Sequence, residues 1–371
     1  MPNIPSDFCT ATTIRRGETE FISFGGCNYL GLAHHPEVIK AVIEATGVYG
    51  LSSSASRETT GNARPHAILE ARLTAFCGHQ RGLLVPDGYT ANLAATQGLE
   101  VLGIRHALID ARAHASLKDA AMLGGMEIHL FDHLDADHAR SMRQELDNQC
   151  VILTDSVFTT DGELAPVHAL HRALGPSDWL LLDDCHGFGV LGDHGRGTPN
   201  ELGLQSDHLI VTTTLAKGLG CAGGIVMGPK EPIESARAHS IAYRCTTPAA
   251  PPLVAGGLES LRIIDHDETL HPRLHANIDH VRTTLRSLDL PAHTLSTPIF
   301  AFTIGDRATM KQIELNLLDA GIILPLMDYP NGPAPIYFRL SVNASHTHEQ
   351  LEKLRIELSN AIASTFAGVD T

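Results

Sequence analysis

Lys217 is the residue of this sequence whose type and position most clearly indicate covalent chemistry. It follows residues 209–215, an apolar and β-branched run typical of a buried strand, and it precedes the glycine-rich segment GLGCAGG. An amine in a partly desolvated site has its charged form disfavoured, so the nucleophilic neutral amine becomes accessible near neutral pH. We therefore interpret Lys217 as a lysine that forms a Schiff base with a carbonyl compound. The alternative is a lysine beside a loop with its ammonium in solvent.

An acid and a histidine follow a second apolar run, in the segment WLLLDDCHGFGVLG. Asp183 stands where that run ends, and His186 follows it closely. A carboxylate at the carboxyl end of a strand can pair with a protonated ring nitrogen, which pyridoxal phosphate requires to act as an electron sink. The alternatives are a turn or helix cap, a metal site, and a dinucleotide-binding loop at GFGVLG. We expect no metal, because no second ligand pair has suitable spacing nearby. We expect no dinucleotide, because those glycines do not open a helix directly after the strand.

Three more positions could bind parts of a ligand. His114 follows a predicted strand and precedes a helix, so its ring could stack on a flat aromatic ligand or simply cap the helix. Gly88 and Tyr89 form a turn into a helix, where free backbone N–H groups attract a phosphate, although ordinary turns look the same. Arg339 lies within the apolar run YFRLSV, and a half-buried arginine needs a carboxylate from the protein or from a substrate.

The elements that must position these residues alternate along the chain. Short apolar runs alternate with helical patterns from about residue 65 to 230, which predicts a mostly parallel sheet covered by helices on both faces. Ligands of such sheets bind beyond the carboxyl ends of the strands. The predicted strands are 82–86, 106–110, 127–131, 150–156, 178–184 and 208–214.

The last part of the chain has a different pattern. Long helices, two strands and an amphipathic C-terminal helix predict a smaller α+β domain, with a boundary near the proline-rich segment TTPAAPP. We therefore divide the chain into an N-terminal segment (1–35), a large cofactor-binding domain (36–248) and a C-terminal small domain (249–371).

Composition excludes several other classes of function. The chain has 371 residues, with 27 Lys and Arg against 42 Asp and Glu, and no basic run for nucleic acid. No apolar run reaches the ~18 residues of a membrane span. The seven cysteines form no CxxC pair, and the N-terminus has no apolar signal-peptide stretch, so we expect a cytoplasmic protein.

Taken in order, these segments resemble the α-oxoamine synthase family, which are pyridoxal-phosphate enzymes of fold type I. The resemblance covers roughly residues 20 to 360. It is carried by the segments CNYLGLAHHPEV, GLSSSASRETTGNARPHAILE, SVFTTDGELAPV, DDCHGFGVLGDHGRG and TLAKGLGCAGG. Asp87 departs from the family, which usually has a serine there. Asp155 stands where a glutamate is common, and Thr159 stands where a serine is common.

The resemblance implies roles for individual residues. Lys217 would hold pyridoxal phosphate and later act as a base, Asp183 would pair with the pyridine nitrogen, and His186 would bond to the ring's phenolic oxygen. His114 would stack on the ring and could donate a hydrogen bond to an acyl carbonyl. The remaining cofactor contacts would come from Gly88, Tyr89, Asp155, Thr159 and Thr214, and from Thr246 or Thr247 of a neighbouring subunit. Arg339 would bind the substrate carboxylate, and Asn28 would face the substrate.

The resemblance also implies a reaction and a homodimer with shared sites. An amino acid, alanine or glycine, would condense with an acyl-CoA or acyl-carrier-protein thioester and lose carbon dioxide to give an α-amino ketone. The 8-amino-7-oxononanoate synthase type is the leading expectation. The 2-amino-3-ketobutyrate ligase type is the alternative, because the shared motifs do not separate the two. Two further hypotheses stay open at this point, an aminotransferase of the same fold and a non-catalytic scaffold protein.

Overall fold

The computed structural model describes residues 4–329 and 332–367. Its α-helices are, in chain order, α1 (Pro36–Tyr49), α2 (Arg64–Phe76), α3 (Gly88–Val101), α4 (Ala115–Leu123), α5 (Ala136–Gln144), α6 (Val167–Arg172), α7 (Thr198–Glu201), α8 (Lys230–His239), α9 (Ile241–Arg244), α10 (Pro251–His266), α11 (Leu270–Ser287), α12 (Arg307–Asp319) and α13 (His348–Ala367). Its strands are β1 (Asp7–Phe8), β2 (Thr13–Arg16), β3 (Thr19–Ser23), β4 (Arg81–Val85), β5 (His106–Asp110), β6 (Glu127–Phe131), β7 (Cys150–Asp155), β8 (Trp179–Asp183), β9 (Leu209–Thr214), β10 (Gly224–Gly228), β11 (Ile299–Phe302), β12 (Ile322–Ile323), β13 (Leu326–Met327) and β14 (Tyr337–Ser341).

The larger of two compact units comprises residues 35–158 and 164–267. Its seven-stranded sheet has the order β4-β10-β9-β8-β7-β5-β6. All its strands except β10 run in one direction, and β10 is antiparallel to both of its neighbours. Every residue of β7, β8 and β9 is buried, which explains why these strands read as continuous apolar runs. The predicted mostly parallel sheet covered by helices is confirmed.

Strand β10 was not predicted, because its glycines obscure the strand pattern. It runs antiparallel to β9 because the connection over residues 215–223 is shorter than the dozen or more residues that a parallel crossover needs. The backbone of Gly224 lies so close to the Asp87 carbonyl group that a Cβ atom has no room there. The glycine-rich segment after Lys217 therefore serves strand packing as well as the loop.

The compact units divide after Asp267, whereas the proline-rich segment had placed the boundary near residue 248. Helix α10 lies between these two positions, and it packs against α1 and α2 within the larger unit. The N-terminal residues 1–34 belong to the smaller unit and do not form a separate arm.

The smaller unit comprises residues 1–34, 159–163 and 268–371. Strands β1, β2, β3 and β12 form one sheet, in which β12 runs parallel to β3. Strands β11, β14 and β13 form a second, antiparallel sheet. Helix α13 packs against α11 and α12. Among the residues that the structure describes, no helix is both long and apolar enough to cross a membrane.

His346 is a buried, neutral histidine in the core of the smaller unit. It is 5% exposed and stacks on Phe24 with ring centroids 4.6 Å apart. Its Nδ1 accepts a hydrogen bond from the Asn343 amide at 3.1 Å, and its Nε2 donates to the Ser23 carbonyl at 3.1 Å. Burial lowers the pKa of His346 to about 4. A proton on Nδ1 would face the Asn343 N–H, so protonation opposes this arrangement.

We expect His346 to make the fold sensitive to acid. A histidine with a depressed pKa stabilises the fold while neutral, and that contribution is lost as pH falls from about 6.5 towards 4. Between pH 7 and pH 5, wild type should lose about 2 kcal/mol more unfolding free energy than His346→Gln, which keeps both hydrogen bonds without titrating. Urea unfolding at the two pH values measures this difference. Equal losses in the two proteins would contradict the assignment.

Candidate active site

A cavity of about 170 Å³ lies at the carboxyl ends of β8 and β9 and at the start of α3. It is lined by residues of the larger unit: Gly88, Tyr89, His114, Ser116, Asp155, Asp183, Cys185, His186, Thr214, Ala216 and Lys217. This is the edge of the sheet at which the strand pattern predicted a ligand. Eight of the predicted cofactor residues surround this one cavity.

Lys217 lies in the short loop between β9 and β10. The loop is fixed by backbone hydrogen bonds from Leu215 N to Gly223 O at 2.8 Å and from Cys221 N to Leu215 O at 2.9 Å. The Lys217 Nζ atom lies 2.7 Å from His186 Nε2. One of these nitrogens donates this hydrogen bond and the other accepts it. The arrangement holds a nucleophilic amine at a defined position on the cavity wall.

Asp183 ends β8 with its carboxylate held by two donors. Asn92 Nδ2 donates to its Oδ2 at 2.8 Å, and the Cys185 amide donates to its Oδ1 at 3.0 Å. Asn92 is itself fixed by the Thr212 hydroxyl, which donates to its Oδ1 at 2.6 Å. Asn92 was not among the predicted site residues. The sequence offers one sign of it, an amide side chain within a helical segment whose buried residues are mostly small and apolar.

His114 stands opposite these groups as a neutral ring. Its Nδ1 accepts from the Ser116 amide at 3.2 Å and lies 2.7 Å from the Ser116 hydroxyl. Burial is the main cause that lowers the pKa of His114, against the opposing charge of Asp183. Because Nδ1 is the acceptor, the proton of the neutral ring is on Nε2, which can donate to a ligand.

Asp155 places a second carboxyl group in the cavity. It accepts a hydrogen bond from the His114 amide at 2.8 Å. Burial, and then the charge of Asp183, raise the pKa of Asp155 well above its usual range. Two carboxyl groups in one cavity favour a ligand that brings positive charge, such as a protonated pyridine ring.

The start of α3 offers a place for a phosphate. The first amides of a helix have no intrahelical acceptor. A Cβ on Gly88 would lie 3.0 Å from Thr214 Cβ and 3.2 Å from Cys185 Sγ, so this backbone approaches the cavity wall without a side chain. Asp87 turns to cap the helix and accepts from the Thr90 amide at 2.7 Å. The departure at Asp87 is thus accommodated by a helix cap.

Asp184, which was considered from the sequence only as part of a turn or cap, fixes the loop that carries His186. It accepts hydrogen bonds from the Ser156 hydroxyl at 2.5 Å and from the Thr198 hydroxyl and amide at 2.6 and 3.0 Å. Burial raises the pKa of Asp184 to about 6 despite these three donors. Both Gly187 and Gly197 approach its carboxylate too closely for a side chain. These contacts explain the glycines of the segment DDCHGFGVLGDHGRG.

The remaining predicted site residues do not line this cavity. Thr246 and Thr247 lie between α9 and α10, the first half-buried and the second exposed. Thr159, Asn28 and Arg339 belong to the smaller unit. Asn28 is half-buried, and its Oδ1 accepts from the Ala33 amide at 3.3 Å.

Arg339 is a buried cation in β14. Its Nε donates to the Thr159 carbonyl at 2.6 Å, its NH1 donates to the Ser341 hydroxyl at 2.8 Å, and its NH2 lies 3.8 Å from Cys27 Sγ. Within residues 4–329 and 332–367, no carboxylate lies within ion-pair distance of this guanidinium. The positive charge of the Arg339 guanidinium is therefore hydrogen-bonded by uncharged groups and has no carboxylate counter-ion among the described residues.

Residues 19–357 match the family model described as aminotransferase class I and II. The chain belongs to this family. It is 36% identical over 342 residues to the 8-amino-7-oxononanoate synthase of Nitrosomonas europaea, covering 90% of this chain and 88% of that protein.

Solved structures show the same fold. The structure of serine palmitoyltransferase (SPT) with its pyridoxal-phosphate internal aldimine has a TM-score of 0.91 at 25% identity, covering 97% of this chain and 92% of that one. The 8-amino-7-oxononanoate synthase of Francisella tularensis has a TM-score of 0.79 at 22% identity, covering 93% and 99%. The chain is a fold type I, pyridoxal-phosphate-dependent enzyme of α-oxoamine synthase type.

The cavity fits this cofactor. The Lys217 amine could bind the aldehyde of the cofactor, and the hydrogen-bonded Asp183 carboxylate could pair with its ring nitrogen. The neutral His114 ring could stack on the cofactor ring, and the N-terminus of α3 could bind the phosphate. The substrates of this type of enzyme are an amino acid and an acyl thioester.

We expect Asn92→Ala to weaken binding of pyridoxal phosphate about tenfold, because a carboxylate that loses a charge-assisted donor is less firmly oriented toward the ring nitrogen. Asn360→Ala is the control, since Asn360 is exposed and its Nδ2 donates to Glu357 on the same helix α13, at 3.4 Å. Titration of the apoenzyme with cofactor, followed by absorbance, gives both dissociation constants. An unchanged constant in Asn92→Ala would mean that Asp183 needs no such support.

Proposed function

We propose that the enzyme condenses L-alanine with a seven-carbon dicarboxylic acyl thioester, releasing carbon dioxide and the thiol. The product would be 8-amino-7-oxononanoate. Alanine contributes two carbons of that nine-carbon chain after decarboxylation, so the acyl group must supply seven. The similarity to the Nitrosomonas europaea 8-amino-7-oxononanoate synthase over most of both chains carries this proposal.

The residues of the cavity support each part of this reaction. Pyridoxal phosphate, when bound, supplies an electron sink for negative charge at the amino-acid α-carbon. We assign Asp183 to hold the proton at the ring nitrogen, and His186 to bond to the ring oxygen beside Lys217. Lys217 Nζ is the base that we assign to take the α-proton. His114 Nε2–H is the donor that we assign to the acyl carbonyl oxygen as it gains charge.

The phosphate contacts belong to the same proposal. Gly88 and Tyr89 would offer backbone amides at the start of α3, and Thr214 would offer its hydroxyl from the end of β9. Asp155, whose pKa is raised by burial and then by the charge of Asp183, would add a second carboxyl group beside the ring. Thr159 and Asn28 remain proposed contacts, supported only by the family motifs in which they stand.

Turnover assays test the substrate assignment. Holoenzyme with L-alanine and pimeloyl-CoA or pimeloyl-acyl-carrier protein should release thiol, whereas glycine with acetyl-CoA should release far less. A higher rate with glycine and acetyl-CoA would instead assign the enzyme to the 2-amino-3-ketobutyrate ligase type. Conversion of alanine to pyruvate faster than thiol release would assign it to the aminotransferases. Inactivity with every pair would contradict the proposal.

Arg339 is our proposed ligand for the amino-acid carboxylate, and its buried guanidinium without a carboxylate partner among the described residues supports this role. Hydrogen bonds to charged groups contribute about 1.5–3 kcal/mol, so Arg339→Lys should raise the KM for alanine about 10- to 100-fold with a smaller change in kcat. Arg307→Lys, on an exposed pair with Asp328, is the control. A fall in kcat without a change in KM would exclude this role.

We also propose a homodimer whose subunits share their sites. Helix α1 and its C-terminal loop expose Ile43, Val48 and Leu51, which are 66%, 74% and 78% accessible, as an apolar surface that a second copy could cover. Thr246 or Thr247 of that copy would reach the phosphate. The seven cysteines are free thiols, which supports a cytoplasmic location.

Subunit mixing tests the shared site. Lys217→Ala alone and the double variant Thr246→Val/Thr247→Val alone should each have little activity. A mixed dimer of the two contains one site with Lys217 and a neighbouring wild-type threonine pair, so mixing should restore activity. Mixtures that stay as inactive as the separate variants would show that each chain completes its own site.

A further inference from the structure

Two histidines and a glutamate meet at the other end of the large sheet. His106 begins β5, while Glu127 and His129 lie on β6, the strand at the edge of the sheet. In the parallel register His106 pairs with Glu127, and Leu108 pairs with His129. Side chains two residues apart on a strand point to the same face, so all three groups lie on one face. They stand at the amino ends of the strands, away from the cavity that holds Lys217.

The three groups are spaced as the ligands of one metal ion would be. His106 Nδ1 lies 3.2 Å from His129 Nε2, and these atoms lie 3.6 and 3.7 Å from the Glu127 carboxylate oxygens. A tetrahedral Zn²⁺ with Zn–N bonds of about 2.0–2.1 Å separates two nitrogen ligands by about 3.3 Å. We propose that His106, Glu127 and His129 form a binding site for a divalent transition metal of the zinc class.

The donor set selects the class of metal. Imidazole nitrogens suit Zn²⁺, Ni²⁺ and Cu²⁺, whereas Mg²⁺ and Ca²⁺ prefer an all-oxygen set. The histidine side chains are only 14% and 22% accessible, so their positions are set by the sheet, while Glu127 is 68% accessible and can adjust. Three protein ligands leave a fourth position for water.

A metal ion at this site would connect β6 to β5 through side chains. Strand β6 is hydrogen-bonded only to β5 in the sheet, so such a link would fasten the edge of the larger unit. A ligand that binds only the folded chain stabilises it by RT ln(1 + L/Kd), where L is the free ligand concentration, so the Tm rises with the concentration of the metal. The site is separate from the cofactor cavity and does not depend on the proposed reaction.

Zinc binding to the holoenzyme tests this inference. Equilibrium dialysis with ZnCl₂ should give wild type one more equivalent of zinc per chain than His129→Ala, and Glu127→Gln should weaken the binding about tenfold or more. His138→Ala is the matched control, because His138 pairs with Asp132 at 3.2 Å outside any three-ligand group among the described residues. ZnCl₂ should raise the Tm of wild type and of His138→Ala but not that of His129→Ala, and MgCl₂ should raise none of them.

Two results would overturn the site. One is equal zinc binding by wild type and His129→Ala, since the protein would then hold zinc elsewhere. The other is the absence of zinc binding by folded wild-type holoenzyme. Glu127→Gln changes an exposed side chain, so its affinity decides the question if the histidine variants fail to fold.

Discussion

The parallel ladder between β8 and β9 is the constraint on which the site depends. It aligns Asp183 with Thr212, so the carboxylate at the end of one strand lies beside the strand that leads directly to Lys217. The same alignment brings the β7 end, with Asp155, to the same edge. The chemistry of the cavity thus follows from strand order and register more than from any single side chain.

The buried acids at this edge show how fold and function are coupled. Asp184 has three donors and Asp183 has two, whereas Asp155 accepts one from a backbone amide and has its pKa raised well above the usual range. The acid that fixes the loop is therefore well satisfied, and the carboxyl groups of Asp183 and Asp155 lie together at the place for a cationic ring. A cavity built in this way is prepared for its cofactor by the protein before any substrate arrives.

The sequence allowed the sheet and most of the cavity to be predicted, because fully buried strands read as apolar runs and their ends carry the reactive side chains. It did not reveal β10, whose glycines hide a strand, or α1 and α12, which no motif marked. Asn92 was missed because its role depends on a hydrogen bond to Asp183, far away in the sequence. The compact units divide after Asp267 and not at the proline-rich segment, because α10 packs on α1 and α2, a contact that proline content cannot indicate. Local sequence patterns thus predict helices and strands, whereas contacts between residues far apart in the sequence determine how those elements pack and which side chains reach the site.

We propose that the Lys217 amine, beside His186, is the group that binds the cofactor covalently. Reduction of the holoenzyme with sodium borohydride, followed by peptide mapping, tests it most directly. We expect a pyridoxyl group on Lys217 and none on the exposed Lys230. A pyridoxyl group on another lysine, or on none in the presence of excess cofactor, would contradict it.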